Sequence, residues 1–242
     1  MTGRITVFGY GPVGRATAAR LIAEGREVIV AQRNAPSDLP KGATFVPVDA
    51  LDRDAVAKAV RGSGQFVVAI GFSYSGVVWR DVWPRVMANF VAACRTTGAR
   101  MVFMDNLYMY GPQTTPLIET MALSGYGLKP AARAVATRVW MAAAATGEAR
   151  VAALRAPDFY GPGVGLSFLG DTSIGKLAQA SRQCSLARQT CCTTTPMCRT
   201  LRGRRRRFWM RPTRPLVRLG TCRARQLGRR AISCKLQPTR WA

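Results

Sequence analysis

Thr6-Val7-Phe8-Gly9-Tyr10-Gly11-Pro12-Val13-Gly14 decides how the rest of the chain is read. A short β-branched run closes at Phe8, and glycines follow at positions 9, 11 and 14. An amphipathic stretch from Val13 to Glu24 stops at Gly25, and Glu27 to Ala31 forms a second apolar run. Strand, glycine-rich turn, helix and strand in that order are the context that makes GxGxxG a specific signal. Each glycine has its own reason. Gly9 permits the tight turn, Gly11 lets backbone approach a pyrophosphate, and Gly14 lets helix and strand pack closely. The phosphates then meet the free N–H groups and positive end of the helix. Gly9, Tyr10, Gly11, Pro12, Val13 and Gly14 are therefore the expected dinucleotide-binding loop.

Working outward, the alternation continues. Thr44 to Val48 reads as strand three, Asp54 to Val60 as a helix and Phe66 to Ile70 as strand four. Asp81 to Thr96 is a long helix, Arg100 to Met104 strand five, Ala131 to Thr146 a helix and Val151 to Leu154 strand six. Such alternation implies an α/β fold, a Rossmann-like doubly wound parallel sheet with helices on both faces. The ligand belongs at the carboxyl ends of the strands. Gly71-Phe72-Ser73-Tyr74-Ser75 and Asp105-Asn106-Leu107-Tyr108 leave strands four and five at that edge. Trp79, Trp83, Phe90 and Trp140 recur at helical spacing beside apolar neighbours and read as packing residues. Cys94, in the same apolar helix, reads as a small core residue.

Strand two ends in Gln32-Arg33-Asn34, without the acid that would hold a ribose 2′-hydroxyl. Arg33 is suited to a 2′-phosphate instead, so NADP(H) is favoured over NAD(H). An exposed arginine with no ligand is the competing reading.

The composition excludes several chemistries. The 242 residues carry 36 Lys+Arg against 12 Asp+Glu, 7 Cys and no His. Without histidine there is no Ser-His-Asp or Cys-His catalysis and no His-ligated zinc, and no metal site is expected. No apolar run reaches a membrane span and the N-terminus lacks a signal-peptide pattern, which points to a cytoplasmic protein.

These residues together resemble the NAD(P)-dependent epimerase/dehydratase family, the extended and atypical short-chain dehydrogenase/reductases, over about residues 3 to 178. The likeness rests on Gly9, Gly11 and Gly14, and on Asp49 with Asp52 after strand three. It also rests on Asp105-Asn106-Leu107-Tyr108-Met109-Tyr110-Gly111-Pro112 and on Arg155-Ala156-Pro157-Asp158-Phe159-Tyr160-Gly161-Pro162-Gly163. The resemblance implies that Asp49 and Ala50 lie near the adenine and that Gly71 and Phe72 lie along the cofactor. It also implies a small-molecule carbonyl or sugar-nucleotide-like substrate, and often a homodimer through the helices.

Catalysis in the family uses a Tyr as acid/base, a Lys that lowers its pKa and a Ser or Thr holding the substrate oxygen. A phenol near pKa 10 needs such a cation to act at neutral pH. Here the pattern departs twice. Asn106 stands where the Ser or Thr would be, four residues before Tyr110. Tyr126-Gly127-Leu128-Lys129 replaces Tyr-x-x-x-Lys and is one residue short. Pro130, Gly125 and Gly127 argue against a regular helix at that point. Asn106, Tyr110, Tyr126 and Lys129 are the candidate catalytic residues, with Tyr108 a further surrogate. Their individual roles stay open against half-buried packing. The departures also leave room for a domain that binds NADP(H) without turnover.

A break lies near residue 179. From Gln179 onward there are 17 Lys+Arg and no acid in 64 residues. The other 19 basic residues against all 12 acids give the first 178 a charge of +7. Six of the seven cysteines, Cys184, Cys191, Cys192, Cys198, Cys222 and Cys234, also follow the break. The chain therefore divides into a 1–178 NAD(P)-binding domain and a 179–242 Arg/Cys-rich tail where a substrate-binding lobe would stand. Arg204 to Arg207 with Phe208-Trp209 invites a nucleic-acid reading. That reading does not explain an abrupt change inside an enzyme-like fold. A displaced reading frame does. Joining the third base of each codon to the next two, Met197-Cys198 gives only Val, Phe208-Trp209-Met210 gives only Leu-Asp, and Cys191-Cys192 gives only Leu. Around them, the Gly-Lys-Pro and Val-Pro-Asp segments of such epimerases are permitted in family order. Such a tail, self-repelling and aperiodic, is expected to be largely disordered and the activity impaired.

Overall fold

The computed structural model describes residues 3–160, 163–164 and 167, together with the backbone of Arg218–Thr221. Four apolar runs are buried because they lie inside one sheet. β1 (Ile5–Phe8), β2 (Val28–Gln32), β4 (Gln65–Val68) and β6 (Val151–Arg155) are mainly Val, Ile, Ala and Phe. Strands covered on both faces read as near-continuous hydrophobic text. β3 (Ala43–Pro47) and β5 (Arg100–Asp105) join them. The strand order is 3-2-1-4-5-6 and every pairing is parallel. A further short strand, β7 (Arg218–Thr221), pairs parallel with β6. The rest of the tail, with its arginine run, its six cysteines and the Gly-Lys-Pro and Val-Pro-Asp positions, lies outside the described residues, as does any displaced-frame counterpart.

The order reverses between β1 and β4, where Ile5 pairs with Val28 on one side and with Gln65 on the other. A crevice opens there at the carboxyl ends of the strands. α1 (Pro12–Ala23) packs Ala18 and Leu21 on Ile5, Val7, Val28 and Val30 at one face. α2 (Arg53–Val60), α3 (Gly76–Thr97) and α4 (Leu128–Ala145) cover the opposite face through Val56, Trp83, Phe90 and Trp140. Trp79, Trp83, Phe90, Trp140 and Cys94 are all buried, as packing residues should be. Among the described residues no helix is long and apolar enough to cross a membrane.

Two helix starts differ from expectation. α3 begins at Gly76, five residues before Asp81, with Ser75 accepting from the Val78 N–H, and it runs through Pro84. Trp79, Trp83, Met87 and Phe90 all insert into the core from it, and that burial outweighs the lost hydrogen bond at Pro84. α4 begins at Leu128, which puts Pro130 in the first turn, where a missing N–H costs nothing. A regular helix therefore does form at Lys129. Tyr126 stays outside it, so the two do not share a helical face.

Candidate active site

The glycine-rich turn leaves β1 at the switch point. Gly9 has φ +86°, and a Cβ there would lie 2.7 Å from the Ala69 carbonyl oxygen on the neighbouring strand's exit. A Cβ on Gly14 would lie 1.9 Å from the Gly9 oxygen. Neither position accepts a side chain. Gly11 differs, because a Cβ there meets nothing within 4 Å. Gly11 is also the N-cap of α1, with no side-chain hydrogen bond to the first turn, no acid within it, and Pro12 as its first residue. α2 and α3, by contrast, begin on Asp52 and Ser75 as side-chain caps. The start of α1 is thus an exposed, uncapped set of N–H donors at a positive helix end, which fits a pyrophosphate. Val13 packs partly into the core below.

The loop is braced from its flank. The Tyr10 N–H donates to Gln32 Oε1 at 2.9 Å and its hydroxyl to the Asp38 carbonyl at 3.3 Å. Arg15 pairs with the Asp38 carboxylate and donates through Nε to the Tyr10 carbonyl. Arg33 is exposed and has no protein partner among the described residues. Asp49 turns the chain after β3 by accepting from the Leu51 N–H, and the Ala50 carbonyl accepts from Asn89 Nδ2 at 2.9 Å. Gly71 is open on its Cβ side. Phe72 turns inward, edge-on to Trp83 with ring centroids 4.9 Å apart.

The exits of β4 and β5 carry the polar groups. Asn106 Oδ1 accepts from the Tyr108 N–H at 3.2 Å, and its Nδ2 has no protein partner among the described residues. Tyr110 is fully buried. Its hydroxyl donates to the Glu119 carbonyl and accepts from Arg155, which makes it a packing group in this geometry. Burial pushes its phenol up, against the opposing pull of the Arg155 charge. Tyr126 is 68% exposed, and its hydroxyl has no partner among the described residues. Lys129 points elsewhere, its Nζ 3.0 Å from the centroid of the Tyr74 ring. The Tyr74 and Tyr108 hydroxyls are 2.6 Å apart, with Trp79 edge-on to both rings. The structure therefore brings Lys129, Tyr74 and Tyr108 together and leaves Tyr110 and Tyr126 apart from them.

The sequence model of the NAD dependent epimerase/dehydratase family matches residues 5–210, past the compositional break. The chain belongs to this family. Solved structures of epimerase type share the fold of this family member at low identity. The Bordetella bronchiseptica enzyme WbmG, in complex with NAD and UDP, is 15% identical with a TM-score of 0.65, over 75% of this chain and 61% of that one. The Brucella ovis UDP-glucose 4-epimerase, in complex with NAD, is 20% identical with a TM-score of 0.58, over 66% and 53%. The Thermus thermophilus UDP-glucose 4-epimerase, in complex with NAD, is 24% identical with a TM-score of 0.57, over 66% and 56%. The match thus spans between half and two thirds of those chains. No curated protein matches.

Sequence reasoning missed two groups in this epimerase-family site. Tyr74 was placed at the ligand edge but not paired, because its partner Tyr108 is 34 residues away and only the fold joins them. The second group is buried beneath Asn106. Asp105, wholly inaccessible, pairs with Arg133 and Arg155, whose side chains are each 1% exposed. Arg133 lies 3.9 Å over the Trp83 ring and 5.0 Å from the Phe103 centroid. A signal existed, since Arg133, Ala136 and Trp140 are spaced by three and four and share the buried face of α4.

Proposed function

We propose that the chain is the nicotinamide-binding part of an epimerase, dehydratase or reductase acting on a sugar-nucleotide-like or small carbonyl substrate. The observation that carries this reading is the uncapped start of α1 at the β1/β4 switch point, with Gly11 open above it. Gly9, Gly11 and the first turn of α1 hold the pyrophosphate, Asp49 and Ala50 flank the adenine, and Gly71 lines the path toward the nicotinamide. When bound, the nicotinamide exchanges hydride with a substrate carbon. Asn106 Nδ2 orients the substrate oxygen, and a tyrosine hydroxyl of the β4–β5 edge moves its proton.

Arg33 selects NADP(H), because its guanidinium is exposed and unpaired while Arg15 is already neutralised by Asp38. The similar structures named above hold NAD, so the comparison of the two cofactors is itself informative. A second reading, binding without turnover, draws on Tyr126 lying outside α4. Measuring NADPH and NADH affinity by nucleotide fluorescence, then product formation from UDP-glucose and UDP-galactose and NADPH oxidation with 2,3-butanedione, separates these readings. Tight binding with no sugar-nucleotide conversion and no NADPH oxidation favours the sensor, and absence of binding refutes both.

The tail is part of the proposal. Residues from about 179 onward are a displaced-frame product that replaces the substrate lobe, and activity is impaired accordingly. A DNA read across codons 170 to 242 tests this. One displaced frame running open through Gly-Lys-Pro and Val-Pro-Asp supports it, and closed frames overturn it, leaving a genuine basic tail.

A further inference from the structure

Three strand exits converge on one small cluster, in which Tyr108 is the surrogate already named and Tyr74 is the group that the family pattern does not point to. Tyr74 follows β4, Tyr108 follows β5 and Asp158 follows β6. The Tyr74–Tyr108 hydroxyl separation of 2.6 Å is that of a strong O–H···O bond. Tyr108 is half-buried, whereas Tyr74 is 52% exposed. Tyr74 is thus the more exposed member of the pair and Tyr108 the more buried one. Lys129 sits on the Tyr74 ring, and Trp79 wedges both rings in place while its Nε1 donates to the Ser73 carbonyl at 3.0 Å. Hydroxyls joined in this way form a path along which a proton passes.

We propose that Tyr108 and Tyr74 form a proton relay, in which Tyr108 Oη protonates the substrate oxygen and Tyr74 Oη refills it from solvent beside Lys129. The proposal rests on the nicotinamide reading above and supplies its missing acid. The balance closes for carbonyl reduction by a reduced nicotinamide. The carbonyl carbon gains a C–H bond, and its π pair moves to oxygen. That oxygen takes the Tyr108 proton, Tyr108 takes the Tyr74 proton, and water restores Tyr74. Burial, the Tyr74 hydroxyl and the negative charge of Asp158 all raise the Tyr108 phenol above its ordinary value. Tyr108 therefore stays protonated at neutral pH and holds its proton more tightly than an ordinary phenol. The groups facing it are Tyr74 from the β4–α3 loop, Asp158 from the β6 exit and, through the Tyr74 ring, Lys129 from α4.

The test uses the full chain with 13Cζ-labelled tyrosine, and Tyr74→Phe, Tyr108→Phe and Lys129→Met variants. By NMR, the Tyr108 resonance should stay at its phenol position through pH 11 in the parent and begin to move at lower pH in Tyr74→Phe. An unchanged Tyr108 titration in Tyr74→Phe overturns the relay even if the chain is inactive. In NADPH oxidation with 2,3-butanedione, Tyr108→Phe should lower kcat by about 10²–10⁴-fold, the usual range for a positioned proton donor. Tyr74→Phe should lower kcat about tenfold with KM unchanged, a smaller part of the same proton-transfer range. Full activity in Tyr108→Phe overturns the proposal while leaving the nicotinamide reading intact. Loss of NADPH binding in the parent would instead defeat that reading.

Discussion

Replacing Asp105 with Asn should cost this protein much of its stability while leaving the shape of the side chain unchanged. Asp105 is wholly buried, accepts from Arg133 Nη2 and, at 3.4 Å, from Arg155 Nε, and also receives the Asn106 N–H at 2.8 Å. Among the described residues it is the one carboxylate paired with two guanidinium groups that are themselves 1% exposed. Burial already lowers the affinity of Arg133 for its proton. Removing the negative charge leaves two cations uncompensated, and breaking a single buried pair in this way costs about 3–5 kcal/mol. A domain's whole stability is about 5–15 kcal/mol. With a urea slope of roughly 2 kcal/mol per molar, the unfolding midpoint should fall by about 2 M. Urea unfolding followed by tryptophan fluorescence reads this directly. Asp105→Asn combined with Arg133→Met, which removes one stranded cation, should recover part of the loss. A decrease below about 1 kcal/mol would refute the reasoning. It would mean that the faces of Trp83 and Phe103, rather than the carboxylate, hold Arg133.

Further outcomes follow from the same geometry. Gly11→Ala adds its methyl to open space and should change stability by less than about 0.5 kcal/mol, yet weaken NADPH binding on the order of tenfold, both read by thermal melts and titration. Gly14→Ala must push α1 off the Gly9 carbonyl and should cost about 1–3 kcal/mol or more in the same melts. Arg33→Ala should weaken NADPH about tenfold or more and leave NADH unchanged, so equal losses for both nucleotides would remove Arg33 as the selector. Cys94, whose thiol burial pushes up to about 12, should resist iodoacetamide at pH 8 in the folded chain and react once denatured, by peptide mass mapping.

The fold was legible because it rests on periodicity and on one backbone motif. Six parallel strands appear within one or two residues of their expected ends, since fully buried strands need unbroken apolar runs. Gly9 and Gly14 were legible for a similar reason, as each answers to a close backbone approach that no other residue permits, whereas Gly11 leaves open space above the start of α1. What escaped is set by contacts between distant segments. The helix expected from Asp81 already ran through Pro84, but its start at Gly76 was hidden, because it depends on the Ser75 cap and on Trp79 inserting into the core. The spacing of Tyr126 and Lys129 reads as a catalytic pair, yet the helix starts between them and Lys129 turns to Tyr74.

Asp105 is the most instructive case, because its position at the end of β5 fits two opposite roles. Strand ends at the carboxyl edge place polar groups where ligands bind, and that favours a functional reading of the whole Asp105–Tyr108 run. The backbone turns between Asp105 and Asn106, and the division follows from that turn. Asp105 faces inward, onto Arg133 and Arg155, while Asn106 is part-exposed, its Oδ1 taken by the Tyr108 N–H and its Nδ2 without a protein partner among the described residues. Its backbone N–H is tied to the Asp105 carboxylate. The buried ion cluster is thus the footing of Asn106, the residue proposed to orient the substrate oxygen. A change of charge at Arg133 or Arg155 should reach Asn106 through that hydrogen bond.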